Sequence, residues 1–230
     1  MRWKSSAGLL ALSTVLAVLK PIDCRADTIF SNLGAGQTYD TSQAVGIGTF
    51  IQGQTADVYS RASSFTVPSG VGYLLSQIDI PLMFLANVSP PNAFVVRLRL
   101  DATGSPGNPI ASWTLTDVPP LPPVPVLFSI QPSQTIAGIS GITLAPNTTY
   151  WVSAEGAAAT GFGAWIGCIN CDGVFYTSVN GGPWSADPGA TGKLAFDVIG
   201  TPVPEPGPFF SLFVGLIAVV VMKRQWLPKY

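Results

Sequence analysis

The stretch Phe94-Val95-Val96-Arg97-Leu98-Arg99-Leu100-Asp101 decides the fold. Phe94, Val96, Leu98 and Leu100 recur at every second position, and Arg97, Arg99 and Asp101 fill alternate ones. A strand turns successive side chains to opposite sides, so this pattern predicts one face against a core and one in water. Strands buried on one face build antiparallel sheets.

The same alternation extends outward. In Tyr73–Phe84, residues Leu74, Ile78, Ile80, Leu82 and Phe84 share one predicted face, with Gln77 and Asp79 on the other. The Asn87–Asn92 link, which contains Pro90-Pro91, makes this strand and the arginine-bearing one plausible neighbours. Downstream, Asp101–Pro109 is a turn cluster, and Ile110–Leu115 follows as a strand with Trp113 on its apolar side. Five prolines crowd Val118–Val126, which predicts an extended crossover between sheets. Further strands are predicted at 28–30, 63–67, 126–130, 142–144, 150–154, 163–166, 174–179 and 193–199. In the last of these Leu194, Phe196 and Val198 point inward. Asn32–Thr49 is rich in Gly, Gln and Thr and predicts turns with one weak edge strand. No stretch of 27–200 repeats every 3.6 residues. About nine short strands joined by turns predict an all-β, antiparallel β-sandwich of jelly-roll type.

Composition supports strands over helices. Only 10% of the 230 residues are charged, and the chain carries 24 Gly and 21 Pro. Between Asp27 and Pro206 there are four bases and eleven acids, a net of −7. Phosphate backbones repel such a body, which argues against nucleic acid as a partner. The chain has no histidine. That removes Ser-His-Asp and Cys-His catalysis and every zinc site that uses imidazole.

Both ends carry addresses. Arg2 and Lys4 precede the apolar run Ala7–Leu19, Pro21 breaks it, and Cys24-Arg25-Ala26 places small residues at −3 and −1 of a cut. This predicts a secretory signal peptide over 1–26. Cys24 is no lipoprotein signal, because Asp23 and Pro21 stand where small and aliphatic residues belong. At the other end a linker over 201–208 holds Pro204-Glu205-Pro206, in which two prolines fix φ and remove two donors. An uncharged apolar helix is predicted over 209–222, then a basic tail over 223–230 that opens with Lys223-Arg224. Fourteen helical residues span roughly 21 Å, less than the roughly 30 Å hydrocarbon core. Lys223, Arg224 and Lys229 orient that end to the cytoplasm.

This three-part tail resembles the PEP-CTERM sorting signal of Gram-negative bacteria, on Pro204, Glu205, Pro206, the apolar run and Lys223-Arg224. The resemblance covers roughly the last 28 residues. It implies a membrane protease of the exosortase type as partner, which cuts near the motif and sends the chain to the cell surface. The six residues after the basic pair, Gln225–Tyr230, depart from the usual short ending. The body resembles the choice-of-anchor R domains. That resemblance rests on Ser64-Phe65-Thr66-Val67, Ser76–Leu82, Leu98–Gly107, Ile110–Trp113, Leu144–Asn147, Thr149–Val152, Trp184 and Ala195–Val198. It implies surface attachment and no known activity.

Few residues invite chemistry. Cys168-Ile169-Asn170-Cys171 could be a redox pair or half a zinc site. Without a second such motif or a histidine, and in an exported chain, it reads as a loop-closing disulfide. Phe162, Trp165, Tyr176 and Trp184 surround that loop in sequence. Trp165 and Trp184 could stack on sugar rings, or simply fill the end of the core, which is the plainer reading. Asp172 and Asp187 sit in Gly-rich loops where oxygens could ligate calcium, but no acidic repeat supports it. Asn87-Val88-Ser89 and Asn147-Thr148-Thr149 fit a glycosylation sequon that occurs by chance in bacterial chains. Glu155 is the only glutamate of the sandwich, with no partner for glycosidase chemistry. The expectation is a non-enzymatic surface or matrix protein without cofactor, linked to exopolysaccharide. A surface-anchored carbohydrate-binding module is the alternative.

Overall fold

The computed structural model describes residues 25–52, 55–84, 93–116, 118–120, 133–157, 162–187 and 192–203. None of them is helical. Their fourteen strands lie in one compact unit, Ala26–Val203. In chain order these are β1 (Asp27–Ser31), β2 (Asp40–Gln52), β3 (Thr55–Thr66), β4 (Tyr73–Ile80), β5 (Leu82–Phe84), β6 (Phe94–Asp101) and β7 (Pro106–Leu115). They continue with β8 (Gln134–Ala137), β9 (Thr143–Leu144), β10 (Thr149–Gly156), β11 (Phe162–Gly167), β12 (Tyr176–Val179), β13 (Ser185–Ala186) and β14 (Asp197–Pro202).

Every strand pairing is antiparallel. One sheet runs β1-β14-β4-β8, with β9 also on β4. The other runs β5-β11-β2-β3-β10-β6-β7, with β12 on β3 and β13 on β12. The fold is thus all-β and sandwich-like, as the alternation in β6 required. Phe94, Val96 and Leu98 are buried as expected. Leu100 is not; it is 43% exposed, near the end of the strand where the β6–β7 register shifts on either side of Arg99.

The two sheets meet through aromatic rings. Phe30 and Phe196, from β1 and the approach to β14, lie 4.9 Å apart by ring centroid. Phe65 of β3 packs on both, at 5.8 and 5.9 Å, and on Tyr150 of β10 at 5.9 Å. Trp165 of β11 closes the group edge-on to Phe196 at 6.2 Å. Full burial of one such side chain contributes about 2 kcal/mol, and ring pairing adds about 1 kcal/mol more. Leu194, Phe196 and Val198 belong to this core, as their alternation predicted.

Several expectations are corrected. Tyr73–Phe84 is not one strand. Pro81, which has no N–H for a ladder, separates β4 in one sheet from β5 in the other. The chain therefore changes sheets within one residue, and Ile166 N–H still reaches the Pro81 carbonyl at 3.3 Å. β4 and β6 are not neighbours either; β6 lies between β10 and β7. Leu74 is 44% exposed and Leu75 is buried in its place. The cause is a bulge opposite Ile199 and Gly200, which leaves Ser76 as the extra residue and flips the alternation. Asp79, expected in water, is buried.

Asn32–Thr49 contains no weak edge strand. Its second half begins β2, a strand of 13 residues lying between β11 and β3. Its glycines obscured the signal. Gly46 sits under the Phe162 ring, where a Cβ would come within 3.1 Å of ring carbons. The number of strands also exceeds the expected nine, since β5, β8 and β13 are too short or too polar to show a period. β14 runs through Thr201 and Pro202, into the stretch expected as linker. The predicted strand at 126–130, most of the proline crossover, the Asn87–Asn92 link and the Asn87 sequon lie outside the described residues. So does nearly all of the predicted signal peptide, and so do Pro204, Glu205, Pro206, the apolar run 209–222, Lys223 and Arg224.

Candidate functional site

Strand pleating assigns each polar residue of the large sheet to a face. In β10, Tyr150, Val152 and Ala154 enter the core, so Trp151, Ser153 and Glu155 lie on the outer face. Their ladder partners on β6 are Arg99 for Trp151 and Arg97 for Ser153. Their partners on β3 are Ser64 and Ala62. Ala62 in turn faces Tyr176 of β12. The outer face of the sheet therefore gathers Arg97, Arg99, Trp151, Glu155 and Tyr176 from three strands, β6, β10 and β12, with Trp151 itself buried.

Each of these groups is held. Arg97 forms an ion pair with Glu155, which also accepts from Ser60 Oγ at 3.3 Å. The Trp151 indole N–H donates to Asp101 Oδ1 at 2.7 Å, and the Tyr176 ring stands edge-on to Trp151 with centroids 4.9 Å apart. Arg99 donates through Nε to Ser153 Oγ at 2.8 Å and through Nη1 to the Gly107 carbonyl at 3.0 Å. Its guanidinium carbon lies 5.3 Å from the centroid of the Trp184 ring. In strand order Arg99 and β12 are separated by β10 and β3. The Asn180–Trp184 segment must therefore lean back over the sheet to make this contact. Burial pulls the Arg99 guanidinium below its ordinary pKa, and the like charge of Arg97 adds to the effect.

A second cation lies deeper. β3 pairs with β2 as far as Tyr59, and Tyr59 also pairs with Val179 of β12. The sheet forks there, and Arg61 lies beside the fork. Its Nε donates to the Gly46 carbonyl of β2 at 3.0 Å, and its Nη1 reaches Asp187 Oδ2 at 2.9 Å and Thr177 of β12. The rings of Tyr59 and Phe175 lie 5.3 and 5.5 Å from its guanidinium carbon. Burial lowers the Arg61 pKa and the charge of Asp187 opposes that.

The predicted site residues fare differently. Trp165 is 0% exposed and its indole N–H donates to the Ala195 carbonyl at 2.8 Å. It presents no ring face to a sugar, because β11 turns it into the core between the sheets. Trp184 stays half-buried on the outer face. The four aromatics around the cysteine loop do not form one cluster: Phe162 meets Phe50, Tyr176 meets Trp151 and Trp184 meets Arg99. Cys168 and Cys171 stand at disulfide distance, Cα to Cα 5.8 Å, with Cys168 buried and Cys171 half-buried. Asn170 between them takes a φ of 52°, a left-handed turn that asparagine tolerates. Asp172 is exposed, and Asp187 is engaged by Arg61 and Thr177. Among the described residues no group of three or more acidic or cysteine side chains could hold a metal.

Sequence reasoning missed Trp151 and the partnership of Arg99 with Trp184. The first was legible, since Trp151, Ser153 and Glu155 alternate with Tyr150, Val152 and Ala154. The second joins positions 85 residues apart and has no local signal. No protein-family model and no curated protein matches the chain.

Proposed function

We propose that the chain is an exported, non-enzymatic protein of a Gram-negative cell surface or its exopolysaccharide matrix. It leaves the cytoplasm on the signal at 1–26 and is handed over at Pro204-Glu205-Pro206 by an exosortase-type protease. The order of three features carries this reading: the proline clamp, the apolar run 209–222 and the basic Lys223-Arg224. The clamp presents an extended segment whose conformational freedom is already reduced. Support also comes from the body, an antiparallel all-β unit without histidine. We read its finer architecture as a jelly-roll sandwich.

The test is fractionation of the native host, blotted with an antibody to the body. Wild type should lack the apolar run and appear at the surface or in the medium. Replacing residues 204–206 by alanine should leave full-length protein in the inner membrane. If both show the same full-length membrane band, the tail is a plain anchor and the sorting reading fails.

The alternative, a carbohydrate-binding module, is favoured by one observation. Trp184 stands half-exposed on a surface that also carries Arg97, Arg99 and Tyr176. On this reading Trp165 plays no part.

A further inference from the structure

We propose that Arg99 and Trp184 together recognise an acidic saccharide, a glycan that carries uronate carboxylates. The proposal deepens the carbohydrate-binding reading and rests on it.

Charge comes first. Arg97 is ion-paired with Glu155. Arg99 has no carboxylate in ion-pair contact among the described residues. Asp101, two residues on, is occupied: one oxygen accepts from the Trp151 indole and the other from the Gly104 amide at 3.0 Å. Burial disfavours the Arg99 cation, and the like charge of Arg97 adds to the effect. The outer face thus holds a guanidinium fixed by neutral acceptors, with no ion-paired carboxylate among the described residues.

Geometry comes second. Two contacts, to Ser153 and Gly107, fix the Arg99 plane, and the remaining N–H donors make no hydrogen bond among the described residues. A planar guanidinium with free donors matches a planar carboxylate by two parallel hydrogen bonds. Trp184 lies against the same guanidinium and is still half-exposed. An indole edge or face offers apolar surface to the C–H groups of a sugar ring. A uronic acid carries both features within one residue, a ring with C–H faces and a carboxylate beside it. A neutral sugar would use only the indole. Charge alone, as in an acidic peptide, would use only the arginine. The net −7 of the body repels polyanions at long range, so the attraction is confined to this patch.

The experiment titrates the full chain, in mild detergent and at low salt, with a uronate tetrasaccharide, a neutral glucan tetrasaccharide and a poly-glutamate peptide. The uronate should bind at least about tenfold more tightly than either of the others. Trp184→Ala and Arg99→Gln should each weaken it by about tenfold or more. Trp184→Ala changes a loop residue and should leave the melting temperature nearly unchanged. It therefore decides the matter even if Arg99→Gln fails to fold. Equal binding of the neutral glucan, untouched by Arg99→Gln, overturns the acidic specificity while the carbohydrate reading stands. Equal binding of the peptide overturns it in favour of charge alone. If no saccharide binds, both readings fall.

Discussion

Asp79 and Asp197 stand opposite one another in the β4–β14 ladder. No arginine or lysine pairs with either among the described residues. Asp79 is buried and is satisfied by neutral donors, Gln77 Nε2 at 2.8 Å and Thr135 Oγ1 at 2.6 Å. Asp197 is half-buried and accepts a hydrogen bond from the Leu33 amide at 3.4 Å. Burial raises its pKa, and the charge of Asp79 raises it further.

A raised carboxylate pKa means that the folded state holds its proton to higher pH than the unfolded chain. The stability this gives is present at low pH and is lost as pH rises through the folded value. Asp197→Asn should therefore raise the melting temperature at pH 7, though only modestly, because solvent screens the half-buried carboxylate. The gain should shrink toward about pH 4, where the ordinary carboxylate also protonates. Thermal melts of both proteins across that range check it. A variant less stable than wild type at pH 7 would show that the carboxylate's bond from the Leu33 amide matters more than its repulsion.

Trp165→Ala should cost about 3–5 kcal/mol in denaturant titrations, the cost of emptying a large core site. Trp165→Phe should cost about 1–3 kcal/mol, because the Ala195 carbonyl loses the indole donor in a buried setting. Neither should alter saccharide binding once the protein is folded. A selective loss of binding in Trp165→Phe would contradict its place in the core.

Arg61 and Asp187 should behave as a coupled pair. Removing Asp187 alone leaves a half-buried cation without its carboxylate, which should cost about 1–3 kcal/mol, the range of a hydrogen bond to a charged group. Arg61→Met with Asp187→Ala should recover part of that loss in a double-mutant cycle. Strict additivity would mean that the ion pair contributes nothing to the fork between β2 and β12.

Mass spectrometry of the unreduced exported protein should find no free thiol and an N-terminus at Asp27. Cys168→Ser with Cys171→Ser should destabilise by no more than about 2 kcal/mol, since the closed loop is short. Alkylation of both cysteines without reduction would refute the bond.

The class of fold was legible in β6 because half-burial imposes a period of two that few other environments copy. Register was not. The bulge at Ser76 and the shifts around Arg99 depend on neighbouring strands; the bulge inverted the side assigned to Leu74, and Leu100 lies exposed near the shifts. β2 was hidden because Gly46 and Gly48 leave gaps where a strand signal needs side chains. Of the candidate surface, Trp184 was legible as an aromatic in a polar loop. Its partner Arg99 was read only as the solvent side of a strand. A charge on an outer face looks the same in sequence whether it meets water or an indole.

The ladder between β1 and β14 has a topological consequence. Asp27 pairs with Gly200, and the last backbone bond of the body joins Val203 N–H to the Gly72 carbonyl. The two ends of the folded body are thus ladder neighbours in one sheet. A short linker could join them at little entropic cost, since closing a small gap fixes few residues. New ends opened at the Asn180-Gly181 turn would then give a circular permutant with every strand pairing intact. The order in which the strands are connected is separable from the way they pack.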